Sequence, residues 1–205
     1  MATRAFFPTL VYSAALQQRG VEAFNRRLLR ECRQLRVDDA AGRAWSRSNY
    51  PGGYTSYGSQ HRLYEISPTF ARLRQLLQPH LARFAHTLEW DLRGRKLAMT
   101  DCWVNIMPQQ VVHSLHLHPL STVSGTYYVQ VPPGAPGLKF EDPRLDRFMA
   151  APPRKRICKP HNRQWVTLAA APGALVLFES WLRHEVTANP RRQQRVSVSF
   201  NFNWF

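Results

Sequence analysis

The chain has 205 residues, 44% of them hydrophobic and 12% aromatic, which is enough for one sizeable core. Its 28 basic residues outnumber 13 acidic ones for a net charge of +15, and its three distant cysteines form neither a disulfide framework nor a Cys-x-x-Cys metal motif. The sequence predicts no signal peptide and no membrane span, so we expect a cytoplasmic protein without membrane contact.

The first half of the sequence predicts mainly helices. Residues 6–12 read as a short strand, and apolar spacing near 3.6 residues predicts a helix over 14–36. Residues 42–60 are rich in Gly, Ser and Tyr and are typical of a loop or lid. Ser67 and Pro68 then form the cap and first turn of a second helix.

From Lys96 onward the apolar period changes to two, which is typical of strands. The predicted strands are 97–107, 111–118, 122–131, 164–169, 174–178 and 194–204, with a further short strand starting at His184. A proline-rich connection, 132–163, is long enough to border a functional opening. Helices followed by short strands indicate an α+β domain built around a β-sandwich or barrel.

Alternation along these strands separates apolar from polar side chains. His116 and His118 share one face of the strand 111–118, whereas His113 falls on the other. In the last strand, Arg195 and Ser197 belong to a polar face opposite a fully apolar one. If the apolar faces pack under the helices, the polar faces line a pocket inside the barrel.

The spacing of three histidines and one arginine suggests a metal site. His116-x-His118 is followed about sixty-five residues later by His184, and Arg195 comes eleven residues after that. Jelly-roll oxygenases bind Fe(II) through two histidines and one carboxylate, the first two ligands spaced H-x-D/E, and leave positions open for cosubstrate and oxygen. Surface positions for these histidines, and a structural salt bridge for Arg195, stay open at this point.

Longer motifs resemble a known family, the bacterial 2-oxoglutarate- and Fe(II)-dependent oxygenases with an H-x-H-P…SG-x-YY signature. The resemblance covers nearly the whole chain, through NYPGGYTSYGS (49–59), WVNI (103–106), HLHPLSTVSGTYYV (116–129), LKFEDPR (138–144), LFESWLRHEV (177–186) and RVSVSFNF (195–202). It implies a single domain, 1–205, in which residues 1–95 form a helical support for a double-stranded β-helix (jelly-roll) core, 96–205.

The resemblance also implies cofactors and site residues. His116, His118 and His184 would bind Fe(II), and Arg195 with Ser197 would bind the cosubstrate 2-oxoglutarate. Tyr128 and Asn105 would add contacts, since both point inward in the predicted alternation. Family chemistry implies that O₂ and 2-oxoglutarate are consumed while a substrate is hydroxylated.

His118 departs from the wider superfamily, where a carboxylate occupies this place. Three neutral ligands leave Fe(II) more positive, so a nearby acid is a candidate for compensation. Asp142, Glu179 and Glu185 are the candidates from the sequence, although Glu185 follows His184 directly and should face the opposite way. The remaining histidines are predicted to be surface or capping residues; they are His61, His80, His86, His113 and His161.

The positive charge favours a small-molecule or anionic substrate, and a nucleic-acid substrate is compatible with the charge although no recognition motif supports it. Two other functions stay open: a non-enzymatic jelly-roll protein that binds a metal or metabolite, and a nucleic-acid-modifying protein. A homodimer is compatible with the sequence, which does not decide the oligomeric state.

Overall fold

The computed structural model describes residues 2–17 and 19–205. Within them lie four α-helices: α1 (Val21–Asp38), α2 (Ala40–Asn49), α3 (Leu63–Ile66) and α4 (Pro68–Thr87). Ten strands complete the fold: β1 (Val11–Ala15), β2 (Tyr54–Thr55), β3 (Leu97–Met107), β4 (His113–His116), β5 (Val123–Gln130), β6 (Lys139–Glu141), β7 (Trp165–Thr167), β8 (Ala174–Glu179), β9 (His184–Val186) and β10 (Arg195–Trp204). None of these helices is long and apolar enough to cross a membrane.

The strands form two sheets, and each strand pairs antiparallel with its neighbours. The larger sheet has the order β1-β8-β5-β10-β3-β2, and the smaller one has the order β4-β9-β6-β7. The α+β prediction is therefore confirmed. Because β1 and β2 come from the first 95 residues, the N-terminal segment supplies edge strands as well as helices.

The predicted alternation in the last strand is confirmed by β10. Val196, Val198 and Phe200 lie in the core that α1 and α4 cover. Arg195 and Ser197 are buried on the opposite face, toward the smaller sheet. Strand β10 keeps this alternation because it pairs on both sides, with β3 and with β5, so its two faces are fixed along most of its length.

The N-terminal elements start later than predicted. The first strand is Val11–Ala15 instead of 6–12, and Ala14 and Ala15 pair with β8 instead of opening a helix. The helix begins only at Val21, because Gly20 has φ 70° and ψ 8°. This left-handed conformation is accessible to glycine and cannot continue a right-handed helix.

The predicted loop 42–60 is wrong for its first eight residues, which belong to α2. Asp39 caps this helix, since its Oδ1 accepts a hydrogen bond of 2.8 Å from the Gly42 backbone. The same carboxylate accepts from the hydroxyls of Tyr54 and Ser59. The cap and these tertiary contacts outweigh the poor helix propensity of a Gly- and Ser-containing segment. By contrast, the predicted Ser67 cap of α4 is confirmed.

The smaller sheet also differs from the predicted strands. The predicted strand 111–118 is reduced to His113–His116, and its pairing with β9 is irregular between these two residues. The connection 132–163 contains a strand, β6, which joins β9 to β7. Pairing with β9 places this connection at the edge of the site described next.

Candidate metal and 2-oxoglutarate site

Three histidines converge between the two sheets. His116 and His184 are directly opposite each other on β4 and β9, and their ring centroids are 4.4 Å apart. His118 follows β4 and lies 5.2 Å from each of the other two rings. One nitrogen from each ring lies within 4.8 Å of the others, a spacing that suits shared coordination of a metal ion.

Hydrogen bonds fix the tautomer of all three rings. The Nδ1 atoms of His116 and His184 lie 2.7 and 3.0 Å from the carbonyl oxygens of Ser114 and Leu182. The Nδ1 atom of His118 lies 2.7 Å from Oδ1 of Asn201. A carbonyl oxygen only accepts, so each Nδ1 carries the hydrogen and each Nε2 keeps its lone pair.

Burial keeps these imidazoles neutral. Desolvation, together with a smaller effect of the neighbouring imidazoles, lowers the pKa of His184 to about 2 and that of His118 to about 4. Burial also lowers the pKa of His116. The rings are therefore unprotonated at neutral pH, which is the form that coordinates metals.

The donor set fits a divalent transition metal. Nε2 of His118 is buried and has no hydrogen-bond partner in the described part of the chain. An unpaired buried nitrogen costs free energy, and coordination to a metal would remove that cost. Imidazole nitrogens suit Fe(II) among other first-row metals.

His113 was predicted to be a surface or capping residue, and this prediction is wrong. Its ring stacks on His116 with centroids 4.7 Å apart, and burial lowers its pKa to about 3. The irregular pairing of β4 between His113 and His116 breaks the alternation that would have turned this ring away. His113 is not part of the three-histidine group. It lines two cavities beside that group, an inner one that Arg195 also lines and an outer one that Trp45 also lines.

Arg195 lies in the inner cavity with a buried, unneutralised charge. Its side chain is 3% exposed, and no carboxylate of the described residues lies within salt-bridge distance. One Nη donates to Ser197 Oγ at 3.2 Å, and Nε has no partner. A buried guanidinium of this kind is a site for a carboxylate or phosphate.

The other predicted cosubstrate residues surround this guanidinium. Ser197 and Asn105 line the same inner cavity, and Asn105 Oδ1 is buried without a partner. The Tyr128 ring lies 5.0 Å from the Arg195 guanidinium, and its hydroxyl accepts from the Leu138 backbone. Tyr128 is thus placed to hold Arg195 in position.

A second, outer cavity of about 420 Å³ shares the lining residues His113, His116 and His118 with the inner one. Trp103 is 5% exposed, lines both cavities and lies 5.7 Å from the His118 ring. Tyr57 packs against Trp103, and Trp45 packs against Tyr57. The segment 117–121 completes the outer wall.

The structure separates the remaining candidates from the site. Glu185 and Asp142 form salt bridges with Lys139 and Arg144, at 2.6 and 2.9 Å, and Glu179 lines neither cavity. His80 was predicted to be a surface or capping residue but is buried, where its Nε2 donates to the Leu16 carbonyl and its Nδ1 accepts from Tyr12. The predicted exposure of three other histidines is confirmed: His61, His86 and His161.

The sequence analysis missed a second layer of polar residues behind His118. Asp101 and Asn201 are neighbours across β3 and β10, and Ser124 is the neighbour of Asn201 on β5. Alternation could have identified them, since Asp101 shares its face of β3 with Trp103 and Asn105.

Comparison with known proteins decides the class of this site. Residues 101–201 match the sequence model of a family described as "Putative 2OG-Fe(II) oxygenase". The chain belongs to the 2-oxoglutarate- and Fe(II)-dependent oxygenases. It is therefore an enzyme of this class that uses Fe(II) and 2-oxoglutarate. No curated protein sequence matches the chain.

Solved structures with the same jelly-roll core support the fold of this oxygenase. A prolyl-4-hydroxylase from Pseudomonas putida is 15% identical, with a TM-score of 0.60 over 95% of this chain and 92% of its own. HygX from Streptomyces hygroscopicus, solved with nickel and 2-oxoglutarate, is 13% identical, with a TM-score of 0.62 over 95% and 83%. The epimerase SnoN from nogalamycin biosynthesis, solved with Fe³⁺ and α-ketoglutarate, is 15% identical, with a TM-score of 0.63 over 95% and 79%.

Proposed function

We propose that His116, His118 and His184 hold Fe(II) and that Arg195 binds 2-oxoglutarate in the inner cavity. The observation that carries this proposal is that two polar groups without partners belong to residues lining the same inner cavity. A buried imidazole nitrogen of His118 has no partner, and a buried guanidinium has no anion. A metal ion and a dicarboxylate together would satisfy both.

Arg195 and its neighbours would orient the cosubstrate. The guanidinium would bind the carboxylate remote from the metal, with the Ser197 hydroxyl as a second donor. Asn105 now donates through Nδ2 to Ser199 Oγ at 3.0 Å. Because a hydroxyl can also donate, a flip of the Asn105 amide would present Nδ2 to 2-oxoglutarate.

The chemistry comes from the bound groups. Fe(II) and 2-oxoglutarate, when bound, would supply an oxidation in which one oxygen atom of O₂ converts 2-oxoglutarate to succinate and CO₂ and the other hydroxylates the substrate. The protein holds the ligands, fixes their tautomers and surrounds them with low-dielectric walls, Trp103 among them.

The outer cavity is the proposed substrate site. Its lining contains aromatic side chains, amides and hydroxyls, one carboxylate, Asp101, and no lysine or arginine. Although the sequence predicted a small-molecule or anionic substrate, an acidic group would find no cation here other than the metal. We therefore expect a small molecule whose reacting part is apolar or hydrogen-bonding, with any anionic part outside this cavity.

We also propose that residues 1–205 form a single domain. One domain comprises the N-terminal helices and the jelly-roll core, since α1 and α4 cover the larger sheet. Nucleic acid as substrate, and a homodimer, stay predictions.

Metal and cosubstrate titration tests the proposal. We expect the anaerobic protein with Fe(II) and 2-oxoglutarate to show a visible metal-to-cosubstrate charge-transfer band, and to release succinate slowly in air without substrate. His116→Ala and His184→Ala should abolish both signals. His61→Ala, which removes an exposed histidine, is the matched control. Wild-type protein that binds no metal, or histidine variants that bind it normally, would refute the assignment.

A further inference from the structure

A chain of hydrogen bonds leads from His118 to an acidic residue. His118 Nδ1 donates to Asn201 Oδ1 at 2.7 Å, and Asn201 Nδ2 donates to Asp101 Oδ2 at 3.3 Å. Thr100 Oγ1 donates to the same carboxylate oxygen at 2.7 Å. The imidazole is thus connected to a carboxylate through one amide.

The amide can adopt only one orientation in this chain. Asn201 Oδ1 accepts from His118 and, at 2.8 Å, from Ser124 Oγ. Its Nδ2 faces the Asp101 carboxylate, which can only accept. A flipped amide would lose the bonds to Asp101 and to His118, so the network fixes both Asn201 and the His118 tautomer.

Strand pairing builds this network. Asp101, Asn201 and Ser124 are direct neighbours on three adjacent strands, β3, β10 and β5. A register shift follows Asn201, between it and Phe202. Bulges of this kind often re-aim side chains next to active sites.

Asp101 differs from the other acids near the site. Glu185, Glu141 and Asp142 are neutralised by Lys139, Arg183 and Arg144 at 2.6 to 2.9 Å. Glu179 forms no salt bridge in the described part of the chain, but it lines neither cavity. Asp101 forms no salt bridge with any residue of the described chain, and it lines the outer cavity together with His118. Its negative charge is available to the metal site.

We propose that Asp101, acting through Asn201, replaces the carboxylate that this three-histidine site lacks. It polarises Asn201, which then accepts more strongly from His118 Nδ1 and makes Nε2 a better donor to the metal. Its charge also partly offsets the two positive charges that three neutral imidazoles leave uncompensated. Asp101 is thus a positioning and charge-compensating residue that does not touch the metal. This inference rests on the proposed role of His118 as a ligand.

Metal affinity without cosubstrate tests the inference. Ni²⁺ and Co²⁺ are titrated into the apo full-length protein at one fixed neutral pH, in competition with a chromophoric chelator. Asp101→Asn keeps the shape and an acceptor but removes the charge, and we expect it to weaken metal binding about 10- to 100-fold. Asn201→Leu should weaken it at least as much. Asp101→Glu should recover part of the loss, and the visible spectrum of the Co²⁺ protein should change in Asp101→Asn.

Two controls separate this inference from its alternatives. Asp142→Asn removes one charge from a salt-bridged acid and should leave the affinity within about twofold of wild type. Thermal unfolding of each apo variant establishes that it is folded. The inference is overturned if folded Asp101→Asn binds metal like wild type, or if Asp142→Asn loses as much affinity. If His118→Ala also binds like wild type, then the ligand assignment itself fails; if only His118→Ala weakens binding, the assignment stands and Asp101 has no such role.

Discussion

Replacing Arg195 by Met should separate cosubstrate binding from protein stability. The side chain is 3% exposed, its Nε has no partner, and its charge has no carboxylate within salt-bridge distance in the described chain. Met has a similar length and apolar stem but carries no charge. The substitution therefore removes the proposed anion site while it leaves the cavity filled.

The size of the effect follows from the burial of the pair. Truncating one partner of a buried, hydrogen-bonded charge pair costs about 2 to 5 kcal/mol. At about 1.4 kcal/mol per tenfold change, 2-oxoglutarate should bind about 30-fold to several thousandfold more weakly. The apo protein should be at least as stable as wild type, because an uncompensated buried charge is costly to keep.

Calorimetric titration of 2-oxoglutarate into the Ni²⁺-loaded protein measures the first effect, and urea unfolding of the apo protein measures the second. Arg144→Met, at a largely exposed arginine paired with Asp142, is the control and should leave cosubstrate affinity unchanged. The reasoning is refuted if Arg195→Met binds 2-oxoglutarate within about threefold of wild type. It is also refuted if the variant is destabilised by several kcal/mol, since Arg195 would then be a structural residue.

Three further outcomes are expected. The apo protein should lose stability as the pH falls below 6.5, because His184 has a pKa of about 2 when folded, so the unfolded chain takes up the proton first. The loss from this residue is about 2 kcal/mol at pH 5. Urea unfolding of His184→Leu should depend less on pH than that of wild type, and an equal pH dependence would show that another group causes the loss. His113→Phe should retain Ni²⁺ affinity within a few-fold, since His113 lies outside the three-histidine group, and a loss equal to that of His116→Ala would add it to the ligands. Ser67→Ala should lower the free energy of unfolding by about 1 kcal/mol, because Ser67 Oγ caps the first turn of α4, and unchanged urea unfolding would show that water replaces the cap.

The strands that carry the site could be predicted where they pair on both sides. The two faces of β10 follow from the sequence alone, and they place Arg195 and Ser197 inward. Short edge strands are less predictable, because one irregularity changes the face of every later residue. His113 shows this, since simple alternation turns it away from the ring on which it stacks.

Tertiary contacts decided what the sequence left open at the N-terminal end. Asp39 caps α2 and binds two distant hydroxyls, and neither contact is visible in a Gly- and Ser-rich segment. The sequence offered Asp142, Glu179 and Glu185 as candidate acids near the metal, and it did not single out Asp101. Alternation along β3 puts Asp101 on the same face as Trp103 and Asn105, but only the pairing of β3 with β10 places it directly beside Asn201.

A crystal structure of the anaerobic protein with Fe(II) and 2-oxoglutarate, with diffraction data collected on both sides of the iron absorption edge, tests the central claim most directly. We expect one anomalous peak within coordination distance of Nε2 of His116, His118 and His184, and a 2-oxoglutarate molecule that chelates it and reaches the Arg195 guanidinium with its other carboxylate. A peak elsewhere, or a cosubstrate whose free carboxylate avoids Arg195, would contradict it.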